Sequence, residues 1–176
     1  TGNNSVFIGY AAGDGLDAET HNVGIGTHAL GGAIAGGEAN VAVGSNSQKA
    51  VTSGDANTSI GYNSLKNITT GANNTGVGQN CMGDIDTGSG NINIGDSASN
   101  GANTNHSIVI GQAASGKGSN TGFISPNGGA VYQGNNASTW STTSDERIKK
   151  NIKDNTIGLE KINKIKVRNF EYRLPE

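Results

Sequence analysis

One apolar pattern organises most of this chain, and it recurs seven times. A branched aliphatic residue stands directly before a glycine at Ile8-Gly9, Ile25-Gly26, Val43-Gly44, Ile60-Gly61, Val77-Gly78, Ile94-Gly95 and Ile110-Gly111. Two positions before each of these aliphatics comes Val6, Val23, Val41, Thr58, Thr75, Ile92 or Ile108. Side chains two apart share one face of an extended strand. The pattern therefore predicts seven short strands, at 6–8, 23–25, 41–43, 58–60, 75–77, 92–94 and 108–110.

Two further positions keep the same phase. Four residues before each glycine stands Asn or Ser: Ser5, Asn22, Asn40, Asn57, Asn74, Asn91 and Ser107. Three residues after it comes a small side chain: Ala12, Ala29, Ser47, Ser64, Cys81, Ala98 or Ala114. The glycines are 17, 18, 17, 17, 17 and 16 residues apart. Glycine lets the backbone turn or approach a neighbour closely, and the small residue fits a tight corner. One such unit cannot bury its own apolar face, whereas stacked units can. The expectation is an all-β, parallel β-roll or solenoid of seven coils, about 34 Å long at ~4.8 Å per layer. The Asn and Ser column should form a ladder of side-chain amides and hydroxyls along it.

Composition bears on how such a rod closes its core. There are 29 Gly among 176 residues, and only 32% of residues are hydrophobic. Large side chains are scarce, and two branched aliphatics per coil make a thin interior. Three chains packing these faces around a shared axis would close it, which predicts a homotrimer.

The units HNVGIGTHA, ANVAVGSNS and GNINIGDSA resemble the head repeats of YadA-like trimeric autotransporter adhesins. The resemblance covers residues 3–116. It implies a left-handed roll, intertwined as a trimer with aliphatics pointing inward.

The charge pattern changes near residue 144. Residues 1–144 hold three Lys against eight acids, and residues 145–176 hold nine Lys or Arg against six. Three segments follow: a repeat domain over 1–116, a neck over 117–143, and a distinct segment over 144–176. In the neck, Pro126, Asn127, Gly128 and Gly129 signal a turn, with β-like pieces around Val131 and Tyr132. Trp140, the single tryptophan, reads as a packing plug between segments. After it, Ser144 or Asp145 is placed to cap a helix carrying Ile148 and Ile152. Leu159, Ile162 and Ile165 define a second amphipathic stretch, and Phe170, Tyr172 and Leu174 alternate as in a strand. The C-terminal segment is thus expected to be short and α+β. The chain begins with Thr, which suggests the C-terminal portion of a longer protein.

TTSDERIKKNI, residues 142–152, and GLEKINKIKVRNFEYR, residues 158–173, resemble the start of the intramolecular chaperone domain of endosialidase-type tailspikes and tail fibres. The resemblance implies trimerisation, assistance to folding of the upstream fibre, and self-cleavage. Its cleavage residues map to Ser144, Asp145 and Lys149. A serine hydroxyl needs a base, and a lysine serves when neighbouring cations lower its pKa. Arg147, Lys150 and Lys153 crowd Lys149 in sequence. The plainer alternative makes Ser144 an N-cap and Lys149 a solvated side chain. The resemblance places release at the Ser144-Asp145 junction.

Other chemistry is weakly supported. Net charge is −2, which gives no reason to expect nucleic acid as a partner. No apolar run is long enough to span a bilayer as a helix. Cys81 occupies the small-residue slot of its repeat, and His21, His28 and His106 lack metal-ligand spacing. No metal or cofactor is expected. Paired carboxylates of a polysaccharide hydrolase are absent from the repeat, as is the outward Thr array of an ice-binding solenoid. The expected function is a structural, receptor-binding fibre on a phage or viral particle, with a host-surface glycan or protein as its receptor. The alternative is a bacterial trimeric surface adhesin.

Overall fold

In the computed structural model, the described residues are 4–15, 18–32, 36–126, 129–134 and, for the backbone, 141–142. The chain divides into two units, residues 1–143 and 144–176. All described residues lie in the first.

The described part is all-β and contains no helix. Seven strands of three residues each stack in chain order: β1 Val6–Ile8, β2 Val23–Ile25, β3 Val41–Val43, β4 Thr58–Ile60, β5 Thr75–Val77, β6 Ile92–Ile94 and β7 Ile108–Ile110. Each pairs in parallel with the next, with equivalent repeat positions opposite each other, as in Val6 to Val23 and Ile8 to Ile25. The fold is a parallel β-solenoid of about seven turns, the architecture the repeat predicts.

The ladder runs one rung past residue 116. Strand β8, Gly122–Ile124, stacks in parallel on β7. The chain then reverses. Strand β9, Val131–Gln133, pairs antiparallel with β8, and β10, Ser141–Thr142, pairs antiparallel with β9. This meander covers the edge that β8 would otherwise expose to another sheet.

The glycine after each strand is required by geometry. At Gly61 φ is +135°, and an added Cβ would lie 2.4 Å from the carbonyl oxygen of Gly78 in the next coil. Gly44, Gly78 and Gly95 meet the same obstruction one coil further on. Each coil also bends at left-handed residues in fixed places. One set is Asn46, Asn63 and Asn80, and another is Leu30, Gln48, Leu65 and Met82. Asparagine tolerates this conformation readily, whereas leucine there is held by burial.

The Asn column forms the expected ladder, and it is fully buried at Asn22, Asn40, Asn57, Asn74 and Asn91. Each Oδ1 accepts the backbone N–H of the next rung: Asn40 to Asn22 at 2.9 Å, Asn57 to Asn40 at 3.0 Å, and Asn74 to Asn57 at 3.0 Å. Each Nδ2 donates to a loop carbonyl, as Asn57 does to Gly71 and Asn74 to Gly88, both at 2.8 Å. The column thus ties strand to loop within a coil and coil to coil along the rod. An Asn74→Ala chain should lose about 2–6 kcal/mol of stability, because the Asn91 N–H and the Gly88 carbonyl would be left buried without these partners. Thermal unfolding of the variant beside the parent checks this. An unchanged midpoint would show that the ladder contributes little.

Candidate assembly face and processing segment

Strand geometry sorts the side chains of each rung into two sets. The middle residue of each strand points into the coil, where Ala42, Ser59, Asn93 and Val109 are buried. Phe7 fills the interior above Gly24, where a Cβ would come within 2.9 Å of the ring. The rest of the interior comes from the loops. Leu30, Leu65 and Met82 stand four residues after the glycines, and Val51, Ile68 and Ile85 seven after. All six are buried. The expectation that a single coil would be starved of apolar core is therefore corrected: the loops supply a second aliphatic set that the strand pattern does not reveal. The small residues Ala29, Ser47, Ser64, Cys81 and Ala98 are buried at the corners beside them.

The repeated aliphatic pair points the other way. Val6 and Ile8, Ile92 and Ile94, and Ile25, Ile60 and Ile108 are exposed on the outer face of the sheet. Ile8 is 59% exposed and Ile60 45%. The parallel register stacks them in two columns, one from the first and one from the third residue of each strand. Their positions in the rungs thus form a two-column stripe along the solenoid. Contiguous apolar surface of this kind marks an interaction face. Thr58 and Thr75 interrupt the first column at its middle.

Cys81 donates its Sγ–H to the Asn93 carbonyl at 3.3 Å, and burial above all pushes its thiol up to about 11. At neutral pH it is a protonated, enclosed side chain, poorly suited to thiolate chemistry. His28 lies edge-on to Tyr10, with ring centroids 5.5 Å apart, and His21 bonds Thr20 at 2.9 Å. Among the described residues no three His, Cys, Asp or Glu side chains gather to hold a metal, and no helix is long and apolar enough to cross a membrane. Trp140, Ser144, Asp145 and Lys149 lie outside the described residues, as do the helices expected after residue 144.

Comparison with curated proteins and with solved structures finds no match. A match comes instead from the segment that the charge pattern sets apart. Residues 144–176 match the family model described as chaperone of endosialidase, beginning at Ser144 itself.

Proposed function

We propose that this chain is part of a trimeric attachment fibre of a phage, in which the solenoid forms the shaft and residues 144–176 begin a chaperone that starts assembly. The observation that carries this reading is the outward aliphatic stripe. A chain that has already closed a core of Leu30, Leu65, Ile68, Met82 and Ile85 still leaves Val6, Ile8, Ile25, Ile60, Ile92, Ile94 and Ile108 exposed in two columns. The stripe is two side chains wide and repeats with the coil. A second and a third copy carry the same stripe in the same register, so three of them close around one axis. The match of residues 144–176 to a chaperone of endosialidase supports the same conclusion, since that resemblance implies trimerisation and assistance to folding of an upstream fibre.

The chaperone is needed for a kinetic reason. Near-identical coils can pair one coil out of step, and the repeat itself does little to penalise the slip. A trimeric nucleus at the C-terminal end fixes the register before the coils zip together. Once the shaft has formed, Ser144 and Lys149 cut the chaperone away at or beside Ser144.

The test uses the complete gene, expressed with and without everything beyond residue 143. The truncated product should be insoluble or unassembled, while the complete one yields trimers by sedimentation. Trimer at full yield from the truncated chain would overturn the chaperone role.

A further inference from the structure

The outer surface of coils three to six holds a polar groove. Two contiguous depressions of about 340 and 380 Å³ share Lys66 and Asn67. One runs over Asn46, Lys49 and Asn63, and the other over Asn80, Asp84, Ser97 and Ser99. We propose that this groove binds an acidic oligosaccharide, with Lys49 and Lys66 taking its anionic groups and the amides of Asn46, Asn63, Asn67 and Asn80 lining its path.

Charge supports this first. Residues 1–144 contain three lysines, and two of them, Lys49 and Lys66, stand 17 residues apart in this one groove. Equivalent positions of neighbouring coils are about 4.8 Å apart, so the two ammonium groups can meet two oxygens of one sugar or of successive sugars. Among the described residues the Lys66 carbonyl accepts the Ala50 N–H, but neither lysine's ammonium group has a hydrogen bond or ion pair. Among the described residues their charge is left for a ligand.

The amides come next. Asn46 donates to Asn63 at 3.2 Å, and Asn63 donates to Asn80 at 3.2 Å, so three amides are held in line by one another. The backbone of all three is left-handed, which fixes the side chains at the coil corner. Asn67 is tied to the Gly83 carbonyl at 2.6 Å. Each amide offers both donor and acceptor, and sugar hydroxyls need both. At the far end Ser99 donates to Asp84 at 3.1 Å, which leaves carboxylate lone pairs for further hydroxyl donors. The groove is basic over coils three and four and acidic at Asp84, so an anionic sugar is oriented with its charge toward Lys49 and Lys66.

The lining also argues against a protein ligand. It contains no aromatic, Leu, Ile or Val side chain, only Ala50 and Gly83 among apolar residues. Protein recognition usually depends on buried aromatic or aliphatic anchors. Without an aromatic platform, a neutral sugar has little to stack on, and charge must supply the selectivity. A trimer would carry three such grooves, which turns weak single-site binding into avidity.

This inference rests on the fibre reading and deepens it by naming the receptor chemistry. The experiment titrates the full chain with tetragalacturonic acid, a sulfated galactan tetrasaccharide and neutral maltotetraose, each by calorimetry at low and high salt. The oligomeric state is measured on the same sample. At least one acidic probe should bind, with affinity falling as salt screens the lysines, and maltotetraose should not. Carboxylate and sulfate sources are separated by which probe binds. Lys49→Gln/Lys66→Gln should weaken binding about tenfold or more, while Lys117→Gln, whose ammonium lies over the Phe123 ring at 5.0 Å, should leave it unchanged. Absence of binding to both acidic probes, equal binding of maltotetraose, or full affinity in the double variant would overturn the groove as a glycan site. A trimer that fails these titrations leaves the fibre reading standing, whereas a monomer that passes them sinks the trimer and keeps the groove.

Discussion

A chain carrying Ile60→Asp is expected to fold its coils and fail to trimerise. Ile60 sits in the middle of the outer stripe and is 45% exposed in the single chain, so a carboxylate there remains solvated while the chain is alone. Around a three-fold axis the same change brings three carboxylates together in a dry seam. Each buried, unpaired charge costs several kcal/mol, and the three also repel one another. The expected effect is loss of trimer at micromolar concentration, with the far-ultraviolet β signal preserved. Sedimentation equilibrium and circular dichroism on one sample measure both. A stable Ile60→Asp trimer would show that the stripe faces something other than its own copies. Ala42→Asp serves as the contrast. Ala42 is fully buried inside the coil, so its replacement should destroy the β signal itself.

Self-cleavage beside Ser144 is the second large effect expected, and it should require the assembled, complete protein. Attack of the Ser144 hydroxyl on the Thr143 carbonyl passes through a five-membered ring, whereas attack on its own carbonyl would need a strained four-membered one. As Lys149 removes the hydroxyl proton, the Oγ–C bond forms and the Thr143–Ser144 amide bond breaks. The departing nitrogen takes up a proton. Water then hydrolyses the ester, which frees the Thr143 carboxylate and leaves Ser144 with a new amino terminus. Assembly would order the junction and crowd Arg147, Lys150 and Lys153 around Lys149, lowering its pKa toward that of a working base. Ser144→Ala and Lys149→Ala should therefore stay at full length while still forming trimers. Lys149→Arg should also stay uncut, because a guanidinium remains charged and cannot accept the proton. Intact mass distinguishes a fragment that begins at Ser144 from one that begins at Asp145. Cleavage of Ser144→Ala at the parent rate would remove Ser144 as the nucleophile.

The two effects depend on different kinds of information in the chain. The residues proposed for processing are read as a string, since Ser144, Asp145, Arg147 and Lys149 follow one another after a fibrous repeat. The family match over residues 144–176 starts at the same serine. The groove of Lys49 and Lys66 is not legible in that way. Two lysines among loop asparagines look like ordinary solvated surface until the coil brings residues 17 apart into neighbouring rungs.

The repeat by itself determined where every one of the first seven strands lies, that they pair in parallel, and that an amide ladder runs beside them. The reason is that a solenoid turns spatial neighbours into sequence neighbours at one period, so each column of contacts is written out as a column of letters. Which face of the strand looks inward was decided only in three dimensions. Pairs such as Val6 and Ile8 or Val23 and Ile25 give the same two-residue alternation whether the coil closes on the aliphatics or away from them. The choice rests on the loops. Leu30, Val51, Leu65, Ile68, Met82 and Ile85 fill the interior, and the larger strand pair is left on the outer face. Those six recur at four and seven residues after the glycine, a signal present in the chain but masked by Gln48 and Ser99 in neighbouring coils. The rung at Gly122–Ile124 was hidden for a related reason. It lacks the glycine after the strand, because the next strand returns antiparallel and no further coil has to pass close by.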